Sequence, residues 1–320
     1  MQAQTDQKNP IKATLILTLT AIIWGLGFVA QRVGMQYIGP FFFNGFRSIL
    51  GSLTLTIIVL LLRFATKKKQ TEQTDAPFSS ILIRGILCGL PLFFAGNLQQ
   101  VGLVYTTAGK AGFITSFYII LVPVVGIFLK RKTHWNTWAG VVLATVGIFF
   151  LSVTTDFTIQ IGDIIVFASA CFWTAHILVI DHAVSALRQM DVLRLCCVQF
   201  AVAGVLSFLA FPALDGFFTE GIVNMDAILD ILPSALYTGC LSTGVGFTLQ
   251  AVGQKYANPA PAAIIMSTEA IFSLIGGMII LNEVMHAREW LGCLLMFVAV
   301  ILSQVPISQK RKKHSILEKL

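Results

Sequence analysis

The chain has 320 residues, of which 56% are hydrophobic and only 12% are charged. Soluble domains usually carry about 25% charged residues, so too few polar side chains remain here to coat a water-facing surface. Together with a mean hydropathy of +0.82, this composition excludes a soluble globular protein and predicts one that lies in a membrane.

The net charge of +7 does not indicate nucleic acid as a partner. The basic residues cluster in short loops between apolar runs, as the positive-inside rule requires of membrane proteins. The six cysteines lie inside apolar runs and form no CxxC pair, so no metal or redox site is predicted. The sequence also lacks the glycine-rich loop that binds ATP phosphates. We therefore expect no cofactor.

A membrane-spanning helix needs about 20 mostly apolar residues, and the sequence contains ten such runs. In chain order they cover roughly 13–32, 42–64, 80–103, 109–129, 135–153, 161–180, 192–212, 231–252, 259–281 and 289–306. No small-residue cleavage pattern ends the first run, so we interpret it as a retained span and not as a signal peptide. The sequence thus predicts an all-α integral membrane protein with about ten transmembrane helices.

The distribution of lysine and arginine predicts the orientation of these spans. If the N-terminus is inside, Arg32, Arg47, Lys110 and Arg288 fall on the outer side and the remaining basic residues fall on the inner side. Because cytoplasmic loops carry the excess of basic residues, both termini are predicted to be cytoplasmic. Residues 309–320 then form a basic cytoplasmic tail that could also touch anionic lipid headgroups.

An internal repeat relates the two halves of the chain. Trp24 and Trp173 occupy the same place in spans one and six, at an offset of 149 residues. Further matched pairs have offsets of 151 or 152: Gly102 and Gly253, Tyr105 and Tyr256, Trp138 and Trp290, Gly140 and Gly292. Each repeat contains five spans, an odd number, so the second copy enters the membrane from the opposite side. We predict two inverted five-helix repeats over residues 1–154 and 155–308, an arrangement that recurs in secondary transporters.

Transporters of this plan often contain interrupted helices at matching places in the two repeats. Span four contains Pro123 and Gly126, and span nine contains Gly276 and Gly277. A proline removes a backbone donor and bends its helix, so these residues are candidate interruptions. Close packing through small residues is the alternative explanation.

Three ionisable residues inside the spans are candidates for function because charges at the centre of a bilayer are costly. Glu269 lies near the middle of span nine, where it could carry a proton, pair with a cationic substrate, or form a structural hydrogen bond. Arg47 could attract an anionic substrate or extend to the outer surface. His176 could take part in substrate or proton binding, although a histidine on an apolar helix can also be a packing residue.

Amide and aromatic side chains complete the set of candidates. Asn97 and Gln100 share a face of span three, and Gln250 of span eight matches Gln99; amides can line a cavity or link helices. Trp24 and Trp173 lie deep enough to form a cavity wall. Tyr118 is the repeat counterpart of Glu269. The predicted substrate or proton pathway comprises Glu269, His176, Asn97, Gln100, Tyr118, Trp24, Trp173, Gln250 and Arg47.

Several segments resemble the EamA type of the drug/metabolite transporter superfamily. They are WGLGFVAQRVGM with Arg47 in FNGFRSILGSL, NLQQVGLVYTTAGKAGFITSFYIILVPVVGIFLKR, and STEAIFSLIGGMIILNEVMHAREWLGCLLMFVAVIL. The resemblance extends over nearly the whole chain. It implies ten helices around a central cavity and export or exchange of amino acids, drugs or related metabolites across the bacterial inner membrane.

The resemblance also bears on single residues. Trp24, Gly25, Arg47, Pro123, Glu269 and Glu283 occupy places that are typical of the family. Ala270 stands where the family often has a proline after the span-nine glutamate, and Lys130, Arg131 and Lys132 replace an acidic residue often found after span four. The local bend in span nine is therefore expected to depend on Gly276 and Gly277.

The sequence thus predicts a secondary transporter, an exporter of small organic metabolites that works by alternating access, with membrane lipids as its surroundings. Monomer and homodimer both remain open. The alternatives are an integral membrane enzyme acting on lipids, which would need catalytic groups at one membrane depth, and a non-transporting receptor or assembly protein, which would lack a central polar cavity.

Overall fold

The computed structural model describes residues 9–35, 37–66, 76–106, 108–131, 133–152, 161–218, 223–281 and 287–304. Glu283 and the basic tail 309–320 lie outside these ranges. The described residues form α-helices, one 3-10 turn and one π-helical segment, with no β-strand among them. The fold is therefore helical, as the composition predicts.

The helices follow the apolar runs of the sequence. They are α1 (Pro10–Gly34), α2 (Pro40–Thr66), α3 (Phe78–Tyr105), α4 (Ala108–Thr115), α5 (Tyr118–Phe128), α6 (Trp135–Ser152), α7 (Ile161–Val184), α8 (Gln189–Leu214), α9 (Met225–Leu236), the π segment (Tyr237–Gly246), α10 (Phe247–Gln254), α11 (Pro259–Met266), α12 (Glu269–Leu281) and α13 (Ala287–Gln304).

Six of the described segments are long and apolar enough to cross a membrane, and three shorter apolar helices accompany them. The six are Pro10–Phe28, Pro40–Ala65, Phe78–Tyr105, Ile161–Val184, Gln189–Phe217 and Met225–Gln254. The shorter ones are Tyr118–Phe128, Trp135–Phe150 and Trp290–Ser303. Because only helices and closed barrels satisfy their backbone groups in lipid, this pattern is that of a multi-pass membrane protein.

The fourth and ninth predicted spans are each divided into two helices, at places 151 residues apart. Ser116 and Phe117 separate α4 from α5, and Ser267 and Thr268 separate α11 from α12. The same short hydrogen bonds occur at both breaks: Phe117 N–H donates to Ile114 O at 3.1 Å, and Thr268 N–H donates to Ile265 O at 3.2 Å. The two breaks are therefore equivalent in sequence position and in backbone geometry.

The interruptions expected at Pro123 and Gly126, and at Gly276 and Gly277, are not where the helices break. The backbone of α5 is helical through the first pair, and that of α12 is helical through the second. A proline removes one donor and need not end a helix.

Serine and threonine hydroxyls form hydrogen bonds to the preceding turn at both breaks, as they also do within continuous helices such as α1 and α7. Ser116 Oγ donates to Gly112 O at 2.9 Å, Ser267 Oγ donates to Ile264 O at 2.8 Å, and Thr268 Oγ1 donates to Ile265 O at 2.7 Å. Such side-chain bonds to carbonyls of the preceding turn compete with the helical ladder.

Two pairs of helices that occupy matching places in the halves pack directly on each other. In α2 and α8, Ser52 Oγ donates to Cys197 O at 2.9 Å, and Gly45 lies against the ring of Phe208. Residue numbers rise along one helix as they fall along the other, so α2 and α8 are antiparallel. In α6 and α13, Asn136 lies next to Leu302 and Gly147 lies next to Gly292, so this pair is antiparallel too.

A tertiary contact also fixes the beginning of α2. The Asp215 carboxylate, in the 3-10 turn Asp215–Phe217 after α8, accepts the backbone N–H groups of Phe41 at 2.9 Å and Phe42 at 2.8 Å. These are among the donors that the first turn of a helix leaves without a partner. The contact therefore caps α2 from the second half of the chain.

The close contact of α6 with α13 predicts that Gly147→Ala destabilises the protein. An added Cβ would lie 2.8 Å from Met296 Cγ and 3.0 Å from the Gly292 carbonyl oxygen, and overpacking of this kind costs about 1–3 kcal/mol. We expect a lower melting temperature for purified protein in detergent. Gly112→Ala is the control, because its Cβ would meet no heavy atom within 4 Å; equal melting temperatures for the two variants would contradict the packing explanation.

Candidate functional site

A cavity of about 50 Å³ lies between the two halves, at the breaks that divide α4 from α5 and α11 from α12. The residues that line this central cavity are Trp24, Phe28, Gln31, Arg47, Gln99, Thr115, Tyr118, Trp173, Ile177, Ser242, Phe247, Gln250, Met266 and Glu269.

Six of the nine predicted pathway residues line the central cavity, and three do not. The six are Glu269, Tyr118, Trp24, Trp173, Gln250 and Arg47. They come from α1, α2, α5, α7, α10 and α12, so the cavity draws on both halves of the chain.

Glu269 and Tyr118 are the first residues of α12 and α5, directly after the matched breaks. The Tyr118 hydroxyl lies 3.4 Å from Glu269 Oε1, and both side chains are buried. A carboxylate in the first turn of a helix is favoured by the helix dipole. The two equivalent positions thus hold a carboxyl group on one side and a phenol on the other.

An aromatic wall forms one side of the central cavity. The ring of Phe247 lies between Trp24, with centroids 4.5 Å apart, and Trp173, with centroids 5.6 Å apart and nearly parallel planes. Trp24 Nε1 donates to Ser242 O at 3.2 Å. Ser242 belongs to the π segment, and π-helical turns inside α-helices frequently mark functional sites.

Arg47 brings a cation into the cavity wall. Its side chain is only 5% exposed, and its Nε donates to Asn44 Oδ1 at 2.8 Å. The sequence allowed two interpretations of Arg47, a role in the cavity or an extension to the outer surface. In the structure its side chain is buried in the cavity wall and does not extend to the surface.

Three buried polar atoms of the lining residues have no hydrogen-bond partner in the described part of the chain. They are Gln31 Oε1, Trp173 Nε1 and Gln250 Oε1. An unpaired buried polar group costs about 1–3 kcal/mol. A bound solute with donors and acceptors could satisfy such groups.

His176, Asn97 and Gln100 do not line the central cavity. His176 Nε2 lies 3.2 Å from Gln199 Oε1 of α8, and Asn97 Nδ2 donates to Ser207 Oγ, also of α8, at 2.8 Å. Gln100 is fully buried, with no partner for its amide among the described residues. His176 and Asn97 therefore join helices.

Eight lining residues are absent from the predicted set: Phe28, Gln31, Gln99, Thr115, Ile177, Ser242, Phe247 and Met266. Helical spacing could have identified some of them. Phe28 and Gln31 lie four and seven residues after Trp24, and Ile177 lies four residues after Trp173, so each shares a face with a predicted residue.

A second cavity of about 390 Å³ lies near the ends of α5, α7 and α11. Pro123 and Gly126 line it, together with His134 and His182. Arg131 Nη1 and Asp181 Oδ2 form an ion pair of 2.6 Å in its wall. Two of the predicted interruption residues thus border a cavity, although they do not break a helix.

No group of three His, Cys, Asp or Glu side chains within the described ranges is placed to hold a metal ion. The six cysteines are free thiols. The chemistry that the described site offers is therefore hydrogen bonding, charge and aromatic contact.

The close approach of α1 to the start of α12 predicts that Gly25→Ala impairs transport. Its Cβ would lie 2.6 Å from Glu269 O and 2.8 Å from Ser273 N. Because these two contacts are backbone atoms of α12, they cannot move aside singly as a side chain could. The start of α12 would therefore shift as a whole, and Glu269 would shift with it. We expect at least a tenfold loss of transport in vesicles at normal expression. Gly27→Ala, whose nearest contact would be Ser242 Oγ at 3.4 Å, is the matched control and should stay within about twofold of the parent; similar losses in both would contradict the explanation.

Comparison with known proteins adds to this geometry. The model of the EamA-like transporter family matches the chain twice, over residues 11–153 and 160–304. An uncharacterized transporter of Archaeoglobus fulgidus is 31% identical over 307 residues, which is 94% of this chain and 88% of that protein. A probable amino-acid metabolite efflux pump of Escherichia coli is 21% identical over 301 residues, covering 91% of this chain and 94% of that protein.

The fold also has a solved counterpart. One crystal structure matches with a TM-score of 0.69 at 16% sequence identity, over 91% of this chain and 96% of that one. Both family matches together span most of the sequence, and the helices that could cross a membrane fall within them. The chain belongs to the EamA-like transporter family, and it is a multi-pass membrane transporter.

Proposed function

We propose that this transporter is a secondary exporter of small organic metabolites, which it moves across the inner membrane by alternating access. The observation that carries the proposal is the central cavity at the two matched helix breaks, lined by Glu269, Tyr118 and Arg47 together with an aromatic wall. Its walls come from both halves of the chain.

The antiparallel pairs α2–α8 and α6–α13 support the inverted arrangement of the halves 1–154 and 155–308. An inverted repeat requires equivalent helices to run in opposite directions, as these pairs do. Two oppositely oriented halves can open the same site to either side by exchanging their conformations, which is the physical basis of alternating access.

The two cavities support a pathway across the membrane. In α5, Tyr118 lines the central cavity and Val122, one turn further along, lines the second cavity. In α7, Ile177 lines the central cavity and Leu178 lines the second one. With the N-terminus inside, the second cavity faces the cytoplasm. A barrier about one helical turn thick then separates a central site from a cytoplasmic opening.

Export is supported by one relative. The Escherichia coli relative bears the name of a probable amino-acid metabolite efflux pump. The positive-inside rule predicts that both termini lie in the cytoplasm. No contact among the described residues favours the lipid-acting enzyme or the receptor that the sequence left as alternatives.

Glu269→Gln should insert normally but lose transport or its dependence on pH. The amide keeps the size of the side chain and its hydrogen bond from Tyr118 but can neither gain nor release a proton. Uptake into inside-out vesicles at several pH values measures the effect. Tyr118→Phe is the matched control, because it removes the hydroxyl at 3.4 Å from Glu269 Oε1 and leaves the carboxyl group in place.

The pH dependence of the Tyr118→Phe variant should therefore remain. Normal, pH-sensitive transport by Glu269→Gln would exclude a proton-carrying role for Glu269.

Loss of the Arg131–Asp181 ion pair should favour opening toward the cytoplasm. The pair joins the end of α5 to α7 across the second cavity, and partly exposed pairs contribute about 0.2–1 kcal/mol. In a variant without the native cysteines, we expect Asp181→Asn to raise the labelling of Ile177→Cys by a membrane-impermeant maleimide from the cytoplasmic side about two- to fivefold.

Asp191→Asn is the control for this labelling experiment. Asp191 forms an ion pair with Arg194 at 2.8 Å on α8, away from both cavities. It should leave the labelling of Ile177→Cys unchanged. An equal increase from both substitutions would show a general loosening of the fold and would contradict a gate at Arg131 and Asp181.

A further inference from the structure

The charge of Arg47 has no counter-ion in the described part of the protein. An arginine guanidinium stays positively charged in proteins and offers five N–H donors. In this structure Arg47 is 5% exposed, and its one hydrogen bond runs from Nε to Asn44 Oδ1. A buried charge is strongly unfavourable unless it is paired, so an anionic group bound in the cavity would remove an unfavourable term.

The hydrogen bond from Nε to Asn44 also fixes the direction of the guanidinium. Asn44 is 2% exposed and lies against Gly96 of α3, where a Cβ on that glycine would approach its amide within 3.2 Å. Asn44 therefore packs against α3, and its Oδ1 accepts a hydrogen bond from the Nε edge of Arg47. The two terminal nitrogens, Nη1 and Nη2, remain for an acceptor in the cavity, as a planar fork that matches a carboxylate bidentately.

The number of charges in the wall indicates the charge of the occupant. Among the lining residues, Arg47 is the cation and Glu269 the acid. The hydrogen-bond partner of Glu269 in the described chain is the Tyr118 hydroxyl, and no lysine or arginine lies within 4.0 Å of it there. When Glu269 carries its proton, the wall holds the single positive charge of Arg47. One guanidinium without further basic groups suits a single negative charge, whereas a phosphate would leave part of its charge uncompensated.

We propose that the solute of the central cavity carries a carboxylate that binds the Arg47 guanidinium, and that its apolar body lies against the Trp24, Phe247 and Trp173 wall. This inference rests on the proposed transport function and names the substrate class for the same site. The wall supplies flat apolar surface from three rings. Gln99 and Thr115, joined by a hydrogen bond of 3.0 Å, border the same cavity and add polar groups to it.

Three probes with the same phenyl body and different head groups test this proposal. They are 3-phenylpropionate, 3-phenylpropionamide and phenethylamine, titrated calorimetrically into the purified full-length protein. We expect 3-phenylpropionate to bind at least tenfold more tightly than the neutral amide and the cationic amine, because hydrogen bonds to a charged partner are the stronger ones. Equal affinity for the amide or the amine would overturn the proposal.

Substitutions then assign the preference to Arg47. Arg47→Gln should lower the affinity for 3-phenylpropionate at least tenfold and leave the affinity for 3-phenylpropionamide within about twofold. Arg47→Lys should retain part of the preference, because an ammonium keeps the charge but lacks the planar fork. Arg288→Gln on α13, which does not line the central cavity, is the control and should change neither affinity.

These measurements also separate this proposal from the proposed function. Should Arg47→Gln fail to fold, the three probes on the parent protein and on Arg47→Lys still decide the question. A carboxylate preference that survives in Arg47→Gln overturns the role of Arg47. Counterflow of labelled 3-phenylpropionate in proteoliposomes measures transport separately from binding. Binding with the expected preference but without counterflow contradicts the proposed transport function. Transport of solutes without a preference for carboxylates contradicts only the present inference.

Discussion

The structure depends above all on the requirement that every backbone N–H and C=O inside lipid finds a partner within the protein. This requirement restricts spanning segments to helices and confines irregular backbone to places that are buried in protein or line a cavity. The breaks at Ser116–Phe117 and Ser267–Thr268 satisfy both conditions. Their short N–H bonds and hydroxyl groups use the carbonyls that a continuous helix would have used.

This constraint explains why the site lies where it does. Where a helix stops in the membrane, the first N–H groups of the next helix lack intrahelical partners. Polar or charged side chains therefore cost the least free energy at such a place. Tyr118 and Glu269 begin such segments at equivalent positions. The two breaks are alike in backbone and differ in the side chain that follows them, one being a phenol and the other a carboxyl group.

The sequence predicted the helical class, the membrane location and the six cavity residues because those depend on composition and on residue types that are rare in lipid. The sequence could not predict which face of a helix points into the cavity. It favours Asn97 and Gln100 of α3 as cavity residues, whereas Gln99 of the same helix lines the central cavity. The sequence indicates breaks at Pro123 and Gly126 and at Gly276 and Gly277, because proline and glycine are strong local signals. The actual breaks have short backbone hydrogen bonds beside serine and threonine residues, and the same residue types lie within continuous helices such as α1 and α7, so they give no distinct signal in the sequence.

The ten-residue π segment Tyr237–Gly246 has a mechanical consequence. A turn of π-helix becomes a turn of α-helix when each N–H exchanges its carbonyl partner for the adjacent one, so the number of backbone bonds stays the same. Such an exchange between α9 and α10 would leave no donor exposed to lipid. Since Ser242 of this segment accepts a hydrogen bond from Trp24 of α1 and Phe247 begins α10, it would reach two of the three rings of the aromatic wall.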